Sequence, residues 1–108
     1  MRILVVTETD ACCGPMAAAF LRDYSPRLEV VSAGWHPSDV VDPMAVRVMK
    51  ECLIDLSEYI PKEFSGFDSK DFDAVYECPE RPCANAIEAY RDLRDFIKNE
   101  AYLYFRSL

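Results

Sequence analysis

No apolar run in this 108-residue sequence comes near the roughly 18 to 20 residues that a membrane-spanning helix needs, so no membrane partner is expected. Met1-Arg2-Ile3-Leu4-Val5-Val6 offers one basic residue and then four apolar ones, too few for a secretory signal core, and a cytoplasmic address is the expectation. Basic charge is scarce. Twelve Lys plus Arg stand against 19 Asp plus Glu, and 12 − 19 leaves −7. With a pI near 4.6 the chain repels phosphate-rich polymers, which argues against nucleic acid and leaves cations and basic proteins as possible partners. Internal repeats, linkers and low-complexity tracts are lacking too. With 51% hydrophobic and 29% charged residues, 1–108 reads as one globular domain with a packed core. The five cysteines (Cys12, Cys13, Cys52, Cys78, Cys83) are an odd count with no secretory signal, so thiols are expected rather than a disulfide framework. Core filler, redox chemistry and metal binding are the roles open to them.

What is there has an alternating order. Ile3 to Val6 is a short apolar, β-branched run, the pattern of a strand buried on both faces at the centre of a parallel sheet. The small, polar stretch Thr7 to Gly14 follows, and Pro15 suits the first residue of a helix that carries Met16, Ala17, Phe20, Leu21 and Tyr24 at helical spacing. Ser25-Pro26 ends it, and Leu28 to Ala33 reads as a second strand. Gly34 to Ser38 is a loop. Asp42-Pro43 then supplies a cap and first-turn pair for a helix whose apolar face is Met44, Val48, Met49 and Cys52, which makes Cys52 core filler. A short helical turn is expected around Lys62 to Phe64, a third strand over Phe72 to Tyr76, and a long terminal helix to about Phe105 from Ala86, Tyr90, Leu93, Ile97, Ala101 and Tyr104. Strand and helix in strict alternation demand right-handed crossovers and an α/β three-layer sandwich with a small parallel sheet of three to four strands. Ligands in such folds sit beyond the carboxyl ends of the strands, which brings Thr7 to Gly14 beside Glu77 to Cys83.

A strand, a small-residue loop and a Pro-led helix together turn backbone N–H groups toward an anion. With Ser32-Ala33-Gly34-Trp35-His36-Pro37, the run Pro43 to Ser57, and Phe72-Asp73-Ala74-Val75, the chain resembles the low-molecular-weight protein tyrosine phosphatases and, more closely, their thioredoxin-coupled arsenate reductase relatives. That resemblance implies a phosphotyrosine protein phosphatase I-like fold. The family's loop runs Cys-Thr-Gly-Asn-Ser-Cys-Arg-Ser before Pro-Met-Ala. Counting back from Pro15-Met16-Ala17, Thr7 stands at the nucleophilic cysteine, Thr9 at the glycine, Cys12 at the inner cysteine and Cys13 at the arginine. A threonine hydroxyl without a base is a poor nucleophile, and a neutral cysteine cannot replace a guanidinium fork. Glu8 and Asp10 add carboxylates. Each one placed about 5 Å from a singly charged oxyanion would oppose it by about 3 kcal/mol at an effective dielectric of 20. Thr9 would be strained if its site needs a positive φ. The family's general acid, in an Asp-Pro segment before the last helix, has no match, and too few residues follow Tyr76 for a fourth strand. The freed sheet edge is a candidate contact surface for a protein partner or a second copy.

The expectation is therefore a degenerate family member that acts by binding, with the loop Thr7, Glu8, Thr9, Asp10, Ala11, Cys12, Cys13, Gly14 as its vestigial site and no cofactor of its own. Two alternatives stay open. Resemblance to the arsenate reductases makes Cys78 and Cys83 redox candidates, together with Cys12 or Cys13; such a thiol-disulfide or arsenic-handling enzyme would bring in thioredoxin or another thiol partner. The same four cysteines are the weak candidates for a metal-binding module, in a spacing that is not a standard zinc pattern. His36, the single histidine, reads as a hydrogen-bonded loop residue. The aromatic series of the terminal helix reads as packing, and Lys62, Lys70, Asp68 and Asp71 as a solvated loop.

Overall fold

Five consecutive residues, Ile3 to Thr7, are buried in β1 (Arg2–Thr7), which is what an apolar run without polar alternation requires of a strand covered on both faces. In the computed structural model, which describes residues 1–81 and 85–108, β1 lies between β2 (Glu29–Gly34) and β3 (Ala74–Glu77) in a parallel sheet of order β2-β1-β3. Ile3 is flanked by Val30 and Ala74, and Val6 by Ala33 and Glu77, so Thr7 ends the central strand opposite Gly34. The expected small parallel sheet has three strands among the described residues. Cys83, one of the redox and metal candidates, lies outside them.

Helix α1 (Cys13–Tyr24) is buried from Cys13 through Leu21, on all sides, as a helix between a sheet and another helix must be. Arg22 anchors its far end by donating Nε and Nη2 to the Val30 carbonyl at 3.1 and 2.7 Å. In α3 (Ile87–Ser107) the stripe Leu93, Ile97 and Ala101 enters the same core, and its aromatic residues pack as expected: Tyr104 stacks on Tyr76 with centroids 4.1 Å apart, and Tyr102 meets Tyr24 edge-on. Helix α2 (Pro43–Lys50) begins where Asp42-Pro43 places it, with the Asp42 carboxylate accepting the Met44 N–H at 2.9 Å. The Tyr90 hydroxyl donates to the other Asp42 oxygen at 2.6 Å, fixing the start of α2 against α3.

The opposite face of the sheet, carrying Leu4, Val6 and Ala33, is covered by Phe64, Phe67 and Phe72 around two 3-10 turns, Phe64–Gly66 and Ser69–Asp71. This explains two shifts from the sequence reading. Phe72 is not the first residue of the third strand, because its ring is used on this outer layer, and the strand starts at Ala74. Cys52 is not on α2, which stops at Lys50; it sits half-buried in the following turn, where Leu53 has φ 62°.

Candidate functional site

The loop after β1 is held from below by the segment after β2. Backbone N–H groups of Trp35, His36, Ser38 and Asp42 donate to the carbonyls of Thr7, Glu8, Thr9 and Ala11 at 3.0, 2.7, 3.0 and 2.8 Å. In a trans peptide the carbonyl and the next N–H point in opposite directions. The amides of Glu8, Thr9, Asp10 and Cys12 are thereby turned away from residues 35–42, toward the inside and mouth of the loop. Gly34 lets the loop lie this close, since a Cβ there would stand 2.9 Å from the Asp10 nitrogen and 3.0 Å from the Glu8 oxygen.

The two loop carboxylates leave the mouth in different directions, an orientation the sequence left open. Glu8 turns outward and pairs with His36 Nδ1 at 2.6 Å, giving the histidine the loop partner expected of it. Asp10 goes inward. It is fully buried at φ 50°, a conformation Asp and Asn tolerate better than other residues with a side chain. Its Oδ2 accepts the Tyr59 hydroxyl proton and the Lys62 N–H at 2.9 Å, while Oδ1 has no partner among the described residues. Burial raises the Asp10 carboxyl above its ordinary range, against the lowering effect of those hydrogen bonds. Ser32 Oγ lies 2.5 Å from the Tyr59 oxygen and completes the network. Positive φ falls on Asp10, not on Thr9, so the strain considered for Thr9 is absent.

Thr7, at the end of β1, is buried, and its Oγ1 accepts the Asp10 N–H at 3.2 Å. A Cβ on Gly14 would stand only 2.7 Å from that oxygen and 3.3 Å from Asp10 Oδ1. Among the described residues no side chain takes the threonine proton. Cys13 is buried in the first turn of α1; the Cys12 thiol draws its pKa down against the opposing effect of burial. The Cys78 thiol, buried beside it after β3, donates to the Cys13 carbonyl at 3.7 Å, and burial pushes its pKa up. Cys12, Cys13 and Cys78 thus do gather at one sheet end as thiols, yet no three His, Cys, Asp or Glu side chains among the described residues are grouped to hold a metal ion.

Two contributors escaped the sequence reading. Tyr59 sat in a stretch without periodicity. Glu80 reaches over the mouth, its Oε2 accepting the Glu8 N–H at 3.0 Å and its Oε1 the Thr9 hydroxyl at 3.1 Å. Nothing local marks either residue, because their partners are remote in sequence.

A model of the family described as low molecular weight phosphotyrosine protein phosphatase matches residues 2–96. A curated relative, the probable low molecular weight protein-tyrosine-phosphatase EpsP of Ralstonia solanacearum, is 41% identical over 69 residues, covering 59% of this chain and 46% of that protein. The chain spans about half the length of the curated relatives it matches. Among solved structures, the low molecular weight protein tyrosine phosphatase from T. tengcongensis superposes with a TM-score of 0.86 at 21% identity, over 100% of this chain and 99% of that one. An arsenate reductase in the phosphate binding state gives 0.84 at 20% identity, over 98% and 97%. The YwlE arginine phosphatase, as a cysteine-to-serine mutant with a phosphorylated active-site serine, gives 0.79 at 20% identity, over 100% and 95%.

Proposed function

Since the chain belongs to the low molecular weight phosphotyrosine protein phosphatase family, we propose that it keeps the family's loop as a scaffold for binding and has given up turnover. The observation that carries this reading is the state of Thr7. Its hydroxyl is buried and accepts the Asp10 N–H, and no side chain among the described residues is hydrogen-bonded to take its proton, whereas an alkoxide nucleophile at neutral pH needs a base that does. Cys13 adds to the case: a buried thiol at the arginine position carries no fork of donors for the equatorial oxygens of a transferring group. The test is incubation with an aryl phosphate, and separately with arsenate plus thioredoxin. Neither is expected to turn over. A rate above about 0.1 per second would sink the reading, since it lies within two decades of the median enzyme.

A thiol reading has one observation in its favour, the closeness of Cys13 and Cys78 with a thiol pKa drawn down on the first. Against it stands the burial of both, which slows attack on an external disulfide. Counting thiols before and after mild peroxide treatment, in the native chain and in Cys78→Ser, separates the two: a disulfide that forms in the first and not in the second favours redox work.

A further inference from the structure

We propose that Glu80 is a tethered anion that occupies the loop's mouth and keeps external oxyanions out. The proposal rests on reading Thr7–Gly14 as an anion cradle of the family's kind. Both oxygens of one carboxylate are used, one on the Glu8 N–H and one on the Thr9 hydroxyl, across 72 and 71 positions of sequence. The Glu8 N–H faces the mouth because the carbonyl of its peptide, that of Thr7, is pinned beneath by the Trp35 N–H, and the Thr9 side chain brings its hydroxyl to the same carboxylate. Glu80 forms no ion pair among the described residues. Its neighbour Arg81 lies over the Phe96 ring at 4.3 Å instead of on the carboxylate. In a chain with seven excess negative charges, this carboxylate is therefore held by neutral donors, the interaction an incoming phosphate would seek.

The tether is short and firmly rooted. Glu80 stands two residues after Cys78, whose N–H donates to the Val6 carbonyl at 3.1 Å and whose thiol donates to Cys13. A group held this way has an effective concentration in at least the millimolar range, so a free oxyanion competes poorly. Charge adds to the exclusion. The Cys13 and Cys78 thiols lie beneath and both feel the Glu80 charge, Arg81 acts on Cys13 in the opposite sense, and Glu8 is turned outward onto His36. A second anion would meet the Glu80 carboxylate already on those donors.

The experiment follows the Glu8 and Thr9 amide resonances of the full chain while inorganic phosphate is added at pH 7. In the native chain they are expected to stay in place to about 20 mM phosphate, while in Glu80→Ala they move, with binding at least about tenfold tighter. Equal responses in the two chains, whether both bind or neither does, overturn the proposal. Glu80 is exposed, so the variant is expected to fold, and Glu80→Gln gives an independent reading. Gln keeps an acceptor and loses the charge, so Glu80→Gln is also expected to bind phosphate more tightly than the native chain, and a response equal to the native chain's would overturn the proposal. Aryl phosphate turnover by a native chain that still shows the Glu80 effect overturns the binding-only reading alone; no turnover and no Glu80 effect overturns the tethered anion alone.

Discussion

Asp10 and Gly14 show how single side chains constrain this loop. Asp10 is a buried carboxyl with one oxygen unpartnered, and an unsatisfied buried polar group costs about 1 to 3 kcal/mol. In Asp10→Asn the carbonyl can keep the Tyr59 and Lys62 bonds, while an amide nitrogen replaces Oδ1 as a donor near the Thr7 hydroxyl; both oxygens border the same space over Gly14. Asn also tolerates positive φ. The variant is expected to be more stable at pH 7 by about 1 to 3 kcal/mol, raising the melting temperature by about 4 to 8 °C per kcal/mol. The pH dependence has a definite sign. Burial raises the folded Asp10 pKa above 3.8, so its contribution is full below 3.8 and is lost as pH rises through the raised value. The advantage of Asp10→Asn should therefore shrink toward pH 3.5, which urea titrations at two pH values would show. Gly14 makes a second case. Gly14→Ala brings a methyl against Thr7 Oγ1 and is expected to cost about 1 to 3 kcal/mol despite the better helix propensity of Ala. Thr7→Ala should relieve it, so a double-mutant cycle is expected to show a favourable coupling of about 1 to 3 kcal/mol.

Among the elements, α2 and α3 are joined by a charged staple. Glu51, at the end of α2, takes Arg91 at 2.7 Å and Arg94 at 2.7 Å, and Arg94 also caps the Val48 carbonyl at 3.0 Å. The hydrogen bonds from Arg91 lead the effects that lower the Glu51 pKa to about 2. A depressed carboxylate contributes above its unfolded value of 4.5, and the contribution is lost as pH falls through about 2. Glu51→Gln is expected to lose the part of the acid slope that lies between pH 4.5 and 2, as read from urea midpoints at several pH values. The elements themselves were largely legible: Ile3 to Val6 as a central strand, Asp42-Pro43 as a helix start, Leu93, Ile97 and Ala101 as a helix face, while the first helix begins at Cys13, two residues before the expected Pro15. Each of these signals acts within one or two turns. Phe72 and Cys52 were placed wrongly because their neighbours in sequence suit a strand and a helix, while a remote sheet face and an early helix end decide their positions.

Over the whole molecule, the loop's ground was legible and its occupancy was not. The order of strands and the small-residue stretch after the first of them place the loop Thr7 to Gly14 at the carboxyl end of the sheet without any structure. The direction of Glu8 and Asp10, the hydroxyl of Tyr59 and the carboxylate of Glu80 are set by contacts between segments 28 to 72 residues apart, which no local pattern encodes. The sheet order has a consequence for the order of opening. β1 meets β2 after a single helix, but it meets β3 only after the whole of residues 35–73, and β3 pairs on one side among the described residues. Contacts closed across a longer stretch form later and yield first. Amide hydrogen exchange is expected to be slowest in β1, bonded on both sides, and faster by at least about tenfold in β3. Glu80 hangs from the end of that strand, so each excursion in which β3 peels away would also carry the carboxylate off the mouth and briefly bare the amides of the loop.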